Sequence, residues 1–351
     1  MNKLERQHHI IQLIEKANEN EMLETRNLAE QLGVSEMTVR RDLEELSHKG
    51  LVKRKHGGAS HNATPIKPAP KQDRKEIGIL LAFSTGKYSD PFFNAVLEGV
   101  DRKLQELDGR IAYIKPHSEI KTVAQVRDLL ENSKTNGIIF LGPLPKGEST
   151  AYLKDNFRAL VATTESLGPD YDTITFDGYH GIRYMVDHLV KCGYRRLGFI
   201  TGHHDFRRKA FLDGVKSHGL PSDADLCVIA PFGDDGWTPK LGQLGAEQLM
   251  RLPNPPEAIV CASDLIAIGA IQWLHQNNFR VPDDVAVTGF DNITESAFTV
   301  PALTTVHVHK QLIGELTVER VVKRIENADG IALTIQTPTH LVIRQSCGTK
   351  K

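Results

Sequence analysis

From Ile77 onward the chain alternates short apolar runs with segments of helical period, and this alternation restricts the fold more than any other feature. The runs are IGILLAF, RIAYI, GIIFLG, ALVATT, TITFD, RLGFITG, LCVIA, EAIVCA and DVAVTGF, with helical segments at 90–107, 121–133 and 148–156 between the first of them. Strands buried on both faces read as continuous apolar runs, and parallel strands need helical crossovers. The pattern therefore predicts an α/β fold with parallel sheets. About ten strands exceed one compact sheet of ordinary size, which predicts two similar lobes.

Ahead of that region the pattern is different. Leu4, Ile10, Ile11, Leu13 and Ile14 suit a first helix, and Leu28, Ala29 and Leu32 a short second one that ends at Gly33. Ser35 is placed to cap a third helix whose inner face is Val39, Leu43 and Leu46, stopping near Gly50. Leu51 to Lys55, followed by Gly57 and Gly58, predicts a strand pair. Residues 60–75 contain Pro65, Pro68 and Pro70 without apolar periodicity, so they read as a semi-extended linker. The expected organisation is 1–59, a linker at 60–75, and a two-lobed region at 76–348.

Composition excludes several classes. Hydrophobic residues at 40% and charged residues at 25% are those of an ordinary globular protein, and no apolar run approaches the ~20 residues of a membrane-spanning helix. A polar N-terminus without a signal-peptide pattern predicts a cytoplasmic protein with no membrane partner. Cys192, Cys227, Cys261 and Cys347 form no CxxC pair, so reduced buried thiols are expected. The net charge of −1 is unevenly spread, at −3 for residues 1–39, +6 for 40–75 and −4 for the rest. A basic block between acidic ones is a footprint of phosphate contact, although such a block is also an ordinary solvated face.

The third helix lies at the edge of that block. With Val39 inward, Met37, Arg41, Glu44 and Glu45 lie opposite, with Thr38 and Arg40 on the flanks. Arginine donates bidentately to guanine edges or clamps phosphate, and a hydroxyl near a helix N-terminus reaches backbone oxygens. Spacing alone leaves a solvated surface face equally open. The segment TRNLAEQLGVSEMTVRRDLEELSHKGLVKRKHGGA, however, resembles the N-terminal winged helix-turn-helix of DeoR-type transcription regulators. That resemblance covers residues 1–59. It implies a recognition helix from Ser35 to Leu46 with Ser35, Thr38, Arg40 and Arg41 at double-stranded operator DNA, and a wing in which Lys53, Arg54, Lys55 and His56 meet phosphates.

In open α/β sheets ligands bind beyond the carboxyl ends of the strands. Asp90, Asp177, Asp264 and Asp291 occupy such places, and Phe92, Phe93 and Trp237 offer apolar faces for a sugar ring or a base. A polyhydroxylated ligand would satisfy both groups. Strand-end aspartates also cap the helix that follows, and at Asp177 the two readings stand level.

Residues 76–348 also resemble LacI-type regulators, whose effector domain is like periplasmic sugar-binding proteins. The carriers are IGILLA with SDPFFNAVLEGV, GYHGIRYMVDHLVKCGYRRLGFITG, PPEAIVCASDLIAIGAI, RVPDDVAVTGFDN, PALTTV and HLVIRQSCG. The resemblance implies a homodimer with a sugar-like effector between the lobes, lined by Asp90, Phe92 and Phe93, stacked on by Trp237, and held by Asp264 and Asp291. Where such regulators carry an arginine three residues before the glycine matching Gly214, this chain has Phe211. Arg207 stands as the candidate cation, with Arg208 and Lys209 as alternatives. Val308 also replaces a residue that is polar in many such regulators. Prolines in the linker disfavour the minor-groove hinge helix those regulators use.

Other chemistries find little support. His8/His9, His203/His204 and His307/His309 sit in no metal-ligand pattern, and GxSxG, GxxxxGK[ST] and GxGxxG are absent. No metal, cofactor or catalytic residue is expected. Paired carboxylates leave a carbohydrate-active enzyme as one rival and a sugar-binding carrier without regulatory role as another. The expectation is a non-enzymatic transcription regulator, of the repressor kind, controlled by a sugar or sugar derivative.

Overall fold

The computed structural model describes all residues except 1–2, 17–21, 49–51, 56, 62–74, 83–89, 143–146, 158, 165, 204–205, 232–235, 329 and 349–351. The N-terminal region contains α1 (Lys3–Lys16), β1 (Leu23–Glu24), α2 (Thr25–Leu32), α3 (Glu36–His48), β2 (Val52–Lys55) and β3 (Gly58–His61). Its three strands form an antiparallel sheet in the order β1-β3-β2. Gly33 ends α2 in the left-handed conformation at φ 63°, where its N–H satisfies the carbonyls of Ala29 and Glu30. A side chain would strain that turn. β3 runs to His61, past the boundary expected at residue 59, because Val52 of β2 pairs with His61. The rest of the expected linker, 62–74, lies outside the described residues.

The small core of this region joins the apolar faces of all three helices to the wing. Ile10, Ile14, Leu28, Val39, Leu43, Leu46, Val52 and Ala59 are buried together. Asp42 is buried on α3, where it accepts hydrogen bonds from Arg6 and Gln7 of α1. A buried carboxylate is tolerated only when paired. The pair therefore fixes the roll of α3 about its axis.

The first lobe follows as β4 (Glu76–Leu81), α4 (Pro91–Glu106), β5 (Arg110–Pro116), α5 (Val123–Ser133), β6 (Gly137–Leu141), α6 (Glu148–Asn156), β7 (Leu160–Thr163) and β8 (Asp172–Phe176). The chain then passes through α7 (Gly178–Lys191) into the second lobe. That lobe holds β9 (Leu197–Thr201), α8 (Phe206–Ser217), β10 (Cys227–Ile229), α9 (Pro239–Met250), β11 (Ala258–Cys261), α10 (Asp264–Gln276) and β12 (Ala286–Thr288). β13 (Thr305–Val308) leads back to α11 (Lys310–Glu326), which packs on α4 and on β6, β7 and β8. β14 (Thr334–Thr337) joins the first lobe and β15 (Thr339–Val342) returns to pair with β13.

Both sheets are parallel throughout, in the orders β5-β4-β6-β7-β8-β14 and β10-β9-β11-β12. Each of the nine apolar runs is a strand. Three segments cross between lobes, and β13 and β15 run antiparallel there, with Thr305 opposite Val342. Asp172, fully buried at the start of β8, accepts from Arg320 and Arg324 of α11 and from the Leu333 backbone N–H. This cluster clamps α11 to its sheet.

Each lobe has one helix pair in backbone contact. A Cβ on Gly269 of α10 would stand 1.8 Å from the Pro239 carbonyl oxygen of α9, and one on Gly242 1.8 Å from that of Ile266. Gly99 and Gly314 do the same for α4 and α11, at 2.0 and 2.1 Å from carbonyl oxygens of the facing helix. Glycine within a helix ordinarily costs stability relative to alanine. Here the reverse holds, because the facing groups are backbone and cannot rotate away. Gly269→Ala is expected to destabilise the protein by ~1–3 kcal/mol in urea unfolding, as overpacked cores do; a neutral or stabilising result would contradict this packing.

Candidate functional site

The exposed side of α3 carries the first candidate surface. Ser35, just ahead of the helix, accepts the Thr38 backbone N–H at 3.3 Å on Oγ, which also lies 2.9 Å from Thr38 Oγ1. With Val39, Asp42, Leu43 and Leu46 turned inward, Glu36, Met37, Arg40, Arg41 and Glu44 are left exposed. Arg40 lies 3.9 Å from Glu36, and Arg54 of β2 lies 3.5 Å from Glu44. The second contact brings the wing against the same face. Lys53 is exposed on β2; Lys55 is in register with Gly58, while His56 lies outside the described residues. Two arginines of a helix and the basic strand beside it thus share one surface.

The second candidate lies between the lobes, at the carboxyl ends of their strands. Its centre is the buried guanidinium of Arg207 on α8, 4.7 Å from the Trp237 ring centroid and 5.7 Å from that of Phe290, with Nη1 donating to the Ala262 carbonyl at 2.9 Å. Its neighbours in the chain point elsewhere. Arg208 lies beside Cys227, and Lys209 pairs with Asp213 on the outside. Of the three candidate cations, Arg207 alone faces the cleft.

Aromatic rings continue the wall across the lobes. Phe92 meets Phe93 at 5.3 Å and Phe176 at 6.0 Å, Phe176 meets Phe290 at 5.8 Å and Phe206 at 6.0 Å, and His203 meets Trp237 at 4.9 Å. Phe176, Phe206, Phe290 and His203 were not expected. For Phe176 and Phe290 a signal existed, since each directly precedes a strand-end aspartate in TITFD and TGFD.

The four aspartates divide into different roles. Asp291 is buried in the cleft, close enough to Asp264, Arg207, Lys310 and Asp90 to feel their charges. Burial first, then Asp264, raises its carboxyl well above the ordinary value. Asp90 caps α4, its Oδ1 accepting from the N–H groups of Phe92 at 2.9 Å and Phe93 at 3.4 Å. The other two also have structural partners of their own. Asp177 spends both oxygens on His180, one on its backbone N–H at 3.1 Å and one on Nδ1 at 2.8 Å, so it caps α7. Asp264 has no exposed surface, and its oxygens accept from the Thr305 hydroxyl at 2.5 Å and the Ile293 N–H at 2.8 Å. In this position it braces the cleft.

Lys310, unnoticed in the sequence, completes the brace. Its buried ammonium donates to the carbonyls of Asp291, Asn292 and Val308, with the last two at 3.1 and 3.3 Å. Burial lowers its pKa. Asp291 and Asn292 hold φ of 109° and 50°, a conformation that side chains rarely adopt. The carbonyl contacts hold that strained turn in place.

Known proteins match this architecture. A profile of DeoR-like helix-turn-helix domains matches residues 6–64, and one of periplasmic binding protein-like domains matches residues 186–347. The transcriptional repressor PurR of Photorhabdus laumondii is 26% identical over 280 residues, spanning 78% of this chain and 80% of its own. MelR of Bacillus subtilis, also a transcriptional repressor, is 27% identical over 318 residues, 87% of this chain and 86% of its own. The solved complex of the regulator CelR with cellobiose shares the fold at a TM-score of 0.69 and 22% identity, covering 89% of this chain and 90% of that one.

The chain is a DNA-binding transcriptional regulator that joins a DeoR-like helix-turn-helix domain to a periplasmic binding protein-like domain, and it is similar to LacI-type regulators. Its relatives are repressors by name, which favours a regulator over a carbohydrate-active enzyme or a sugar carrier. No helix among the described residues is long and apolar enough to cross a membrane.

The brace has a measurable signature. Burial raises the Asp264 carboxyl to about 7. The folded protein therefore keeps this proton over a range in which the unfolded chain, near the ordinary value of about 4, has released it. Stability falls as pH rises from about 4 to about 7 and levels off above. Asp264→Asn is expected to flatten that part of the profile in urea unfolding measured from pH 5 to 8; a slope equal to that of the wild type would contradict the assignment.

Proposed function

We propose that this regulator is a repressor that binds a two-fold operator as a homodimer in the cytoplasm and responds to a sugar or sugar derivative held between its lobes. Residues 1–59, with β3 running on to His61, form the DNA-binding unit, the stretch up to residue 75 the connection and 76–348 the effector unit. Ser35, Thr38, Arg40 and Arg41 of the α3 region face the major groove, while Lys53, Arg54, Lys55 and His56 of the wing meet phosphates. Two such units on a dimer match two half-sites related by the same symmetry.

The observation that carries the effector reading is Arg207 laid against Trp237 with the Asp291 carboxylate close by. A ring with an apolar face and hydroxyls at its edge fits that combination, stacking on Trp237 and hydrogen-bonding to Arg207 and Asp291. Phe92 and Phe93 close the first-lobe side, and Asp90 borders it. Asp177 and Asp264 act by positioning α7 and β13. The CelR structure, of the same fold, contains cellobiose.

The test begins with thermal shift against monosaccharides, disaccharides, sugar phosphates and nucleosides, since a ligand that binds only the folded state raises the melting temperature. For the sugar giving the largest shift, Asp291→Ala is expected to lose ~1.5–3 kcal/mol, roughly 10- to 150-fold in affinity by calorimetry. Unaltered affinity would place the ligand elsewhere. Arg40→Ala with Arg41→Ala is expected to abolish operator binding in a mobility-shift assay and to leave the thermal shift intact. Operator affinity that survives the double change would remove α3 from the interface.

A further inference from the structure

Met37 is 71% exposed, and among the described residues before Tyr184 it is the only large hydrophobic side chain left in solvent. Ile10, Ile14, Leu28, Val39, Leu43 and Leu46 of the same unit are buried in its core, and Ile11, Leu13, Leu23, Leu32 and Val34 pack against it. Single exposed apolar residues are common and by themselves mean nothing. The position of this one is what matters. It sits in the first turn of α3, where the N-terminal residues of a recognition helix reach base edges. Arg40 and Arg41, three and four residues on, stand beside it on the same helical face.

We infer that Met37 reads a thymine, its flexible thioether chain packing on the C5-methyl group in the major groove. The chemistry follows from the surroundings. Arg40, Arg41 and Arg54 draw the surface onto phosphate and guanine, which brings a base-edge apolar group into the slot left by Met37. The thymine methyl is the only apolar group that a base pair presents in that groove. Methionine, unbranched and polarisable, adapts to such a contact. Met37 has no part in the folding core, so its contribution belongs to sequence choice. This inference rests on α3 being the recognition helix.

The experiment uses the full chain. Selection from a random duplex library gives the preferred half-site for the wild type, for Met37→Ala and for Met37→Leu. Each thymine of that half-site is then replaced by deoxyuridine, which removes only the methyl group, and affinities are read by fluorescence anisotropy at fixed salt. At one thymine per half-site the wild type is expected to lose about fourfold, equivalent to ~0.8 kcal/mol for one buried methyl-sized group. Met37→Ala loses nothing at that position and shows relaxed base choice there, while Met37→Leu retains the penalty. An unchanged salt slope for Met37→Ala is also expected, since no phosphate contact is lost. Identical selected sequences and identical deoxyuridine penalties in wild type and Met37→Ala would overturn the inference and leave the recognition helix standing. Failure of the wild type to enrich any sequence would overturn both.

Discussion

The cleft depends on one carboxylate from which water is wholly excluded. Asp264 sits where the second-lobe sheet, the returning strand β13 and the turn at Asp291 meet, and it holds the last two through the Thr305 hydroxyl and the Ile293 N–H. Burial favours the protonated form of a carboxyl, and close donors and cations offset that preference only in part. Here the partners are structural donors, with the cations Lys310 and Arg344 near enough to matter. Lys310 in turn donates to three carbonyls of the turn and of β13, and Arg344 grips Asn292 Oδ1 at 2.7 Å. Left-handed backbone at non-glycine residues costs ~1–3 kcal/mol each and persists only where its surroundings over-determine it. The network over-determines the backbone at Asp291, whose carboxyl lies near enough to Arg207 to feel its charge.

The same network lies at the start of α11, a helix of 17 residues that spans roughly 26 Å of the first lobe. Its far end is fastened by Arg320 and Arg324 to Asp172, at the amino ends of the parallel strands. Glu76, the first residue of β4, lies at those amino ends too, bonded to Asn136 and paired with Arg110 at 2.7 Å. One rigid element therefore links the cleft to the edge where the DNA-binding unit is attached. A ligand can shift the balance of lobe arrangements only by its difference in affinity for them. A helix clamped at both ends is placed to carry such a shift from the cleft to that edge.

Much of this was legible in the residues, for identifiable reasons. β4 to β12 announce themselves as apolar runs because both faces of a parallel sheet are covered. β14 and β15 do not, since TIQT and THLV are short and at most partly buried apart from Thr337, and β13, TVHV, is mostly buried but only four residues long. Helix α3 was clear from the spacing of Val39, Leu43 and Leu46, whereas the Arg6–Asp42 lock that orients it joins residues 36 positions apart. The partners of Asp177 and Asp264 were not legible, because a strand-end aspartate looks the same in sequence whether it caps a helix, braces a turn or awaits a ligand. Arg207, Arg208 and Lys209 could not be separated either. Consecutive helical residues point 100° apart, and only packing against Trp237 and Ala262 decides which one enters the cleft.

If the buried network governs ligand binding and not DNA contact, removing its ammonium separates the two. The direct measurement is paired calorimetry and operator titration on Lys310→Met, with the sugar that stabilises the wild type most as the probe. A side chain of similar length fills the space but leaves the carbonyls of Asp291 and Asn292 without their donor, so Asp291 loses its hold. Sugar affinity is then expected to fall at least tenfold, while operator affinity without sugar stays within about twofold of the wild type. Sugar affinity left unchanged in Lys310→Met would contradict the account at its centre.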